Sequence, residues 1–310
     1  MNRLAQFSSN PTLREYAQGV AQDSIQPIAN FLAPTVPVSR MTGRYKVYTE
    51  KNRFRIPDTL RAVGGQATQL RFEATDNSYN CEPHALDYPV DNLEQLEGAE
   101  IMDVLKEGAT AVAEVAALSH EKKVIDLALE AVGAGTNKTW NSSADPVADI
   151  DEAILTVIKN ATYGSFMNVG VLFGANAFRI FKNSEKVRGR FVTGKGGASL
   201  AVPNEDIASQ LFMGKPEVKT SFMVYDDNPE GKAASMKFLL DNAILIFARK
   251  SSPTTRDPSF MKTFRLMSRH MVPGSYIRDD GRVEVAKFDW SEDVRVTNAT
   301  AAIRYNILAS

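Results

Sequence analysis

Between residues 41 and 130 the hydrophobic period changes once, and that change limits what the chain can fold into. Tyr45-Lys-Val-Tyr-Thr-Glu, Arg53-Phe-Arg-Ile and, beyond Val63-Gly64-Gly65-Gln66, Leu70-Arg-Phe-Glu-Ala-Thr alternate polar with apolar or aromatic residues. That is the pattern of a two-stranded β-ribbon or long β-loop. It is thin in large aliphatics, and an isolated two-stranded ribbon is marginal in water, so it needs another surface to rest on. From Asp91 the period becomes helical: Ile101, Val104, Leu105, Gly108, Val112, Val115 and Ala116 follow spacings of three, four and seven. Asp91 with Glu94 three residues on reads as a capping box. The pattern predicts a helix from about Asp91 to Leu118, weakened at Gly98 and Gly108. A second helical stretch from Ser119 is expected to end near Gly133 and Gly135.

The flanking regions are simpler. Residues 1–40 are polar and broken by Pro11, Pro27, Pro34 and Pro37, with one short helical candidate at Thr12 to Ala21. They read as an arm that cannot order itself alone and needs another surface to lie on; a frayed terminus is the alternative. Asp145 to Lys182 reads helix–strand–helix, opened by Pro146 and Asp149, with Asn168-Val-Gly-Val-Leu-Phe as a short buried strand. Glu185 to Arg190 reads as a connecting stretch. Strands are expected at Thr220 to Tyr225, Ala243 to Ala248, Arg282 to Phe288, Val294 to Thr297 and Ala302 to Leu308, with turns at Asp226 to Gly231 and Asp279-Asp-Gly. The fold class is α+β with mainly antiparallel pairing.

Charge and composition remove several function classes. The chain has 310 residues, room for one large domain or two ordinary ones. With 36 Lys+Arg against 37 Asp+Glu it lacks the basic excess of a protein that coats nucleic acid through phosphate contacts. The single cysteine, Cys81, excludes an intramolecular disulfide framework and suggests a reducing compartment. Three histidines leave little material for a multi-ligand metal site. Met1 to Asn10 is no secretory signal, and the longest strongly apolar stretch, Ala243 to Ala248, is too short to span a bilayer. A soluble chain made in a cytoplasm is expected.

The catalytic motifs are incomplete. Gly189-Arg-Phe-Val-Thr-Gly194-Lys195-Gly196 matches a phosphate-cradling loop until Gly196 stands where Ser or Thr would hold Mg²⁺. A charged stretch precedes it where a strand should be, and no helix follows to supply an N-terminal dipole. A nucleotide-dependent enzyme using Gly189 to Gly196 remains the remote alternative, which loss of ATP binding in Lys195→Ala would support. His120-Glu121-Lys-Lys-Val124 has half of a zinc-protease pair, and Cys81-Glu-Pro-His84 has no second pair at workable spacing. Both read as structural. No G-x-S-x-G elbow occurs. The chain is not read as an enzyme, and no cofactor or metal is expected.

Charge patterning carries more. Between Arg40 and Thr75 eight basic residues face three acidic ones; between Asp76 and Glu107 nine acidic residues face one lysine. A basic projecting ribbon beside an acidic helix start suits a self-complementary assembly, each ribbon lying on a neighbour's helix. The candidate contacts are Arg44, Lys46, Lys51, Arg53, Arg55 and Arg61 on the ribbon, and Glu94, Glu97, Glu100 and Asp103 at the helix start. Pairing within one chain, or plain solvation of both faces, is the alternative.

The order of these parts resembles the major capsid protein of tailed double-stranded DNA bacteriophages, with the Hong Kong 97-like fold. The resemblance runs through Pro34-Thr-Val-Pro-Val-Ser, the loop with Asn52-Arg-Phe-Arg-Ile-Pro57, and Tyr79-Asn-Cys-Glu-Pro-His-Ala-Leu-Asp before the long helix. It continues through Trp140, Asp145-Pro-Val-Ala-Asp-Ile150, and Asn168 through Asn176 to Val187. It implies an N-terminal arm (1–40), an extended loop (41–80), a peripheral domain with a long spine helix (81–139 and 266–310), and an axial domain (140–265). It further implies pentamers and hexamers closing an icosahedral shell around packaged double-stranded DNA, held by non-specific enclosure. The implied location is the virion, after assembly in the host cytoplasm. Because the chain starts at Met1, scaffolding is expected from a separate protein; a portal and a decoration protein are further implied partners, and no membrane is. No Lys–Asn cross-link is predicted, although Lys46 and Lys51 lie on the loop. An encapsulin-type bacterial nanocompartment shell, with the same fold, is the closest rival.

Overall fold

The computed structural model describes residues 28–48, 58–61, 63–69, 74–91, 101–161, 168–190, 204–228, 231–267 and 272–308. In chain order the elements begin with α1 (Ile28–Leu32), β1 (Thr35–Val38), β2 (Thr42–Tyr48), β3 (Ala74–Asn80), β4 (Glu82–Asp91) and α2 (Ile101–Val132). Then come β5 (Thr136–Thr139), α3 (Pro146–Asn160), β6 (Asn168–Gly174), α4 (Ala175–Asn183), α5 (Glu185–Gly189) and α6 (Glu205–Leu211). The chain closes with β7 (Glu217–Ser221), β8 (Val224–Asp226), β9 (Met236–Phe238), β10 (Ala243–Arg249), β11 (Met261–Leu266), β12 (Val272–Ile277), β13 (Val283–Val296) and β14 (Ala302–Leu308).

Two five-stranded sheets organise the body. The first is built on the 14-residue β13: β12 and then β11 follow one another along one edge, β4 takes the other, and β1 extends β11 in parallel. The second runs β5-β14-β10-β6-β7. Its central strands alternate between two cores. Ile244, Ile246 and Ala248 face the helices α3, α4 and α6, while Leu245 and Phe247 face α1 and α2. That double burial explains why Asn168–Gly174 and Ala243–Arg249 are nearly continuous apolar runs.

Helix α3 forms as its sequence directs. Asp145 caps it, accepting N–H bonds from Val147 and Ala148, Pro146 occupies the first turn, and Val147, Ile150, Ile154 and Val157 are buried. Helix α2 is one uninterrupted element of 32 residues, about 48 Å at the standard rise. Its first half buries Leu105, Ala109, Val112 and Ala116 under β4 and β13; its second half buries Val124, Ile125 and Ala128 under the second sheet. The expected division near Ser119 is therefore absent, because burial continues across it. Gly108 is no weak point: the Tyr88 ring lies where its Cβ would be.

Other expectations need correction. Asp91 is the last residue of β4, not a helix cap; β13 supplies a pairing partner that local periodicity does not reveal. Residues 92–100, where the helix was expected to begin, lie outside the described residues. Arg282 to Phe288 and Val294 to Thr297, read as separate strands, are parts of β13, and Glu185–Gly189 is a short helix. Pairing is mainly antiparallel, but β1–β11, β14–β5 and β6–β7 are parallel. The expected boundaries at 139 and 266 do not follow the sheets: β5 and β14 belong with β10, whereas β11 belongs with β13. Finally, the later part of the arm, Ile28–Val38, packs on its own chain instead of needing a neighbour, because Ile28, Phe31, Leu32, Val36 and Val38 are all buried there.

Candidate assembly surfaces

Strands β2 and β3 form a ribbon in antiparallel register from Thr42↔Asn80 to Tyr48↔Ala74; its return strand lies later than the expected Leu70–Thr75, of which 70–73 lie outside the described residues. Its root is held by aromatic stacking. Phe264 of β11, fully buried, stacks on Tyr79 at 4.6 Å and on Tyr45 at 5.3 Å. A Cβ at Gly43 would fall inside the Tyr79 ring, so glycine there permits the strand to approach. Backbone bonds fix the angle: Lys46 N–H donates to Thr255 O at 3.1 Å, and Asn80 N–H donates to Asp293 Oδ2 at 2.7 Å.

The Thr255 ledge is itself braced from below. Lys262 of β11 has a side chain with 0% exposure; its Nζ meets Asp257 Oδ1 at 3.0 Å and donates to Thr254 O and Asp257 O at 2.6 Å. Burial lowers the Lys262 ammonium, partly offset by Asp257. Burial would raise Asp257, but Lys262, Ser259 and the Thr254 N–H outweigh it and hold the carboxyl low. All three Lys262 ammonium donors thus have an acceptor.

Beyond the root the ribbon leaves its own body. The described outer residues, 58–61 and 63–69, are exposed except for a half-buried Gly65. Leu60 is 88% exposed and Val63 fully exposed. Of the predicted ribbon cations, Arg44 and Arg61 are exposed. Lys46 instead pairs within the ribbon, with Asp76 directly across the ladder at 2.5 Å, and its hydrogen bond holds Asp76 below the usual carboxylate range. Lys46 therefore has a partner on its own chain, while its side chain keeps 42% of its exposure. Lys51, Arg53 and Arg55 lie outside the described residues, as do Glu94, Glu97 and Glu100; Asp103 is in the first turn of α2, its side chain undescribed. Among the described residues the Lys46–Asp76 pair joins the basic and acidic segments.

The described residues of the incomplete motifs make contacts within the chain. His120 Nδ1 meets Glu292 Oε1 at 2.7 Å, and Arg265 holds Glu292 Oε2 at 2.7 Å, so one carboxylate ties α2, β11 and β13. Burial would raise Glu292, but His120 and Arg265 together hold it at about 2. The Cys81 thiol is buried beneath the ribbon root, donates to Phe264 O, and is pushed up to about 11 by burial. His84 stacks on Trp290 at 5.3 Å. His270 and residues 191–203, which hold most of the glycine-rich loop, lie outside the described residues. Among the described residues no cluster of His, Cys, Asp or Glu could hold a metal, and no helix is long and apolar enough to cross a membrane. Phe264, Asp293 and Thr255 were not legible as ribbon anchors, since the ribbon's scarcity of large aliphatics shows that it must rest on something but not on what.

Similarity to known proteins agrees with this architecture. A phage-related protein from Bordetella bronchiseptica RB50 superposes with a TM-score of 0.70 at 17% identity, covering 97% of each chain. The subunit of the bacteriophage PhiM1 mature capsid superposes with a TM-score of 0.55 at 12% identity, over 91% of this chain and 87% of that one. The chain has the Hong Kong 97-like capsid fold. In sequence, the major capsid protein of Pseudomonas phage JBD67 is 26% identical over 192 residues. That match covers 59% of each chain, so this chain spans less than two thirds of that relative's length. No family model matches. The capsid fold also occurs in the SrpI encapsulin complex of Synechococcus elongatus PCC 7942, with a TM-score of 0.54 at 12% identity over 92% and 88% of the two chains.

Proposed function

We propose that this chain is the major capsid protein of a tailed phage, a structural subunit and not an enzyme. Many copies would form pentamers and hexamers of an icosahedral shell that encloses double-stranded DNA. The observation that carries the reading is the ribbon: a firmly anchored root, and a tip whose Leu60 and Val63 are buried by nothing on their own chain. Covering each on a neighbour would contribute about 1.5–3 kcal/mol. The fold is common to both readings; the sequence similarity to the JBD67 capsid protein supports the viral one over the nanocompartment. In this reading the first sheet with α2 serves as the peripheral domain and the second as the axial domain. A near-neutral chain suits a lumen that must let its genome be packaged and released. Scaffolding, portal and decoration proteins would be separate chains, and the mature location the virion.

Electron microscopy of the purified full chain tests this directly. Closed shells are expected; uniform shells loaded with a cargo enzyme would overturn the viral reading in favour of the nanocompartment. Leu60→Asp with Val63→Asp should leave the urea midpoint near wild type, since both sites are solvated, yet abolish shells. Wild-type shell yield from that variant would remove the tip from the assembly mechanism.

A further inference from the structure

The half-motif at His120-Glu121 has a use that its metal-site resemblance does not suggest. Glu121 lies on the inner face of α2 and is 3% exposed. Its Oε1 accepts the Ala29 N–H at 2.9 Å, from 92 positions earlier in the chain. Its Oε2 is buried and has no hydrogen-bond partner.

Ala29 belongs to a strap, Ile28–Val38, formed by α1 and β1 and laid from the core under α2 to the cluster around Phe264. Ile28, Phe31 and Leu32 enter the core shared by α2 and the second sheet; Val36 and Val38 join the cluster around Phe264. Phe31 stands edge-on to Phe247 at 5.3 Å, with the Arg249 guanidinium 4.6 Å from its ring centre. The seat exists because residue 170 is glycine: a Cβ there would come within 2.9 Å of both phenyl rings. The strap is therefore a distinct piece, held by apolar packing, one edge ladder and a carboxylate with an idle oxygen.

We propose that Glu121 is a proton-operated latch that holds the strap Ile28–Val38 on the body when protonated and loosens it when ionised. An ionised carboxylate with an unpaired buried oxygen is costly, whereas the neutral acid avoids most of that cost. Lifting the strap admits water and rehydrates the charge. Burial pushes the Glu121 carboxyl up to about 7, against the lowering pull of the Ala29 and Ile28 N–H groups. A folded value raised above the ordinary 4.5 means that the strap is held best in acid, and that this contribution is lost as pH rises through about 7. The strap itself has no ionisable side chain. Among the described residues the ionisable groups around its seat include His120, Glu292 and Arg265, then Lys122, Asp126 and Tyr225 beside the next turn, and Arg249, Glu217 and Lys219 near Phe31. The latch acts within one chain and does not depend on the shell reading.

Hydrogen exchange of the full chain between pH 6 and 8.5, corrected for intrinsic rates, tests it. Protection of peptides covering 28–38 should fall about tenfold from pH 6 and level off above about pH 7, while β10 and β13 hold theirs. Glu121→Gln should give a flat profile at the protected, acid level. Phe31→Ala should raise strap exchange at every pH yet keep the wild-type slope, which serves as the reading if the glutamine variant fails to fold. A pH-independent wild-type strap, a slope that survives Glu121→Gln or is lost in Phe31→Ala, or an equal change in β10 and β13 would overturn the latch.

Discussion

Replacing Phe264 separates the anchoring of the ribbon from the stability of the body beneath it. The ring is fully buried and lies between two tyrosines, 4.6 Å from Tyr79 at an interplanar angle of 13° and 5.3 Å from Tyr45 at 30°. Truncation to alanine removes the apolar transfer and leaves a cavity, together about 3–5 kcal/mol. That is a large share of the 5–15 kcal/mol typical of a domain, so the alanine variant alone would blur local and global effects. Phe264→Leu is more selective. It keeps most of the apolar volume and removes the two ring contacts, each worth about 0.5–1.5 kcal/mol beyond its area. Urea denaturation followed through Trp140 and Trp290 reads the body, and hydrogen exchange of residues 42–48 and 74–80 reads the root. The leucine variant should shift the urea midpoint modestly while ribbon exchange rises well above that of β6 and β10. Unchanged ribbon protection, or an equal rise in β10, would refute the idea that ring stacking sets the root.

The remaining predictions concern buried charge, a buried glycine and the outer loop. Glu292→Gln leaves Arg265, whose side chain is 10% exposed, without its counter-charge, and should cost about 3–5 kcal/mol at pH 7. Glu292 is held below its ordinary 4.5, so its contribution is present above that value and lost as pH falls through about 2. The two proteins' stabilities should therefore converge near pH 2 in denaturation profiles, and a constant gap would contradict the network. Gly170→Ala crowds Phe31 and Phe247 and should cost about 1–3 kcal/mol, with exchange of the strap rising most; a neutral result would mean that the seat has slack. Arg53→Glu with Arg55→Glu should impair shell formation, seen by light scattering, with little loss of subunit stability. Normal assembly would remove the charge-matching role of the loop.

Elements whose signals are local were legible. Asp145-Pro146 opens α3 as its capping chemistry requires, the alternation of Tyr45 and Val47 with polar residues becomes β2, and the apolar run Ala243 to Ala248 becomes a central strand. Elements that depend on a distant partner were misread. Glu82–Asp91 carries Pro83 and Pro89 and alternates weakly; it is a strand because β13, some two hundred residues later, pairs with it. Ile28–Val38 looks like a loose arm because of its prolines, yet Gly170, Phe247 and Glu121 build a seat for it. Among the assembly candidates, net charge pointed to the ribbon, but Lys46 answers to Asp76 across its own ladder.

What the amino-acid order determined by itself was the succession of parts: ribbon, long helix, helix–strand–helix, then mostly antiparallel strands. Periodicity, caps and turn residues act over a few positions, so they can be read without knowing where the chain goes next. Only the tertiary structure decided which strands share a sheet, that α2 serves two cores, that the strap returns to its own body, and that the ribbon tip does not. Those outcomes depend on which distant surfaces meet, because a strand or an apolar face is stabilised only by the partner that removes it from water.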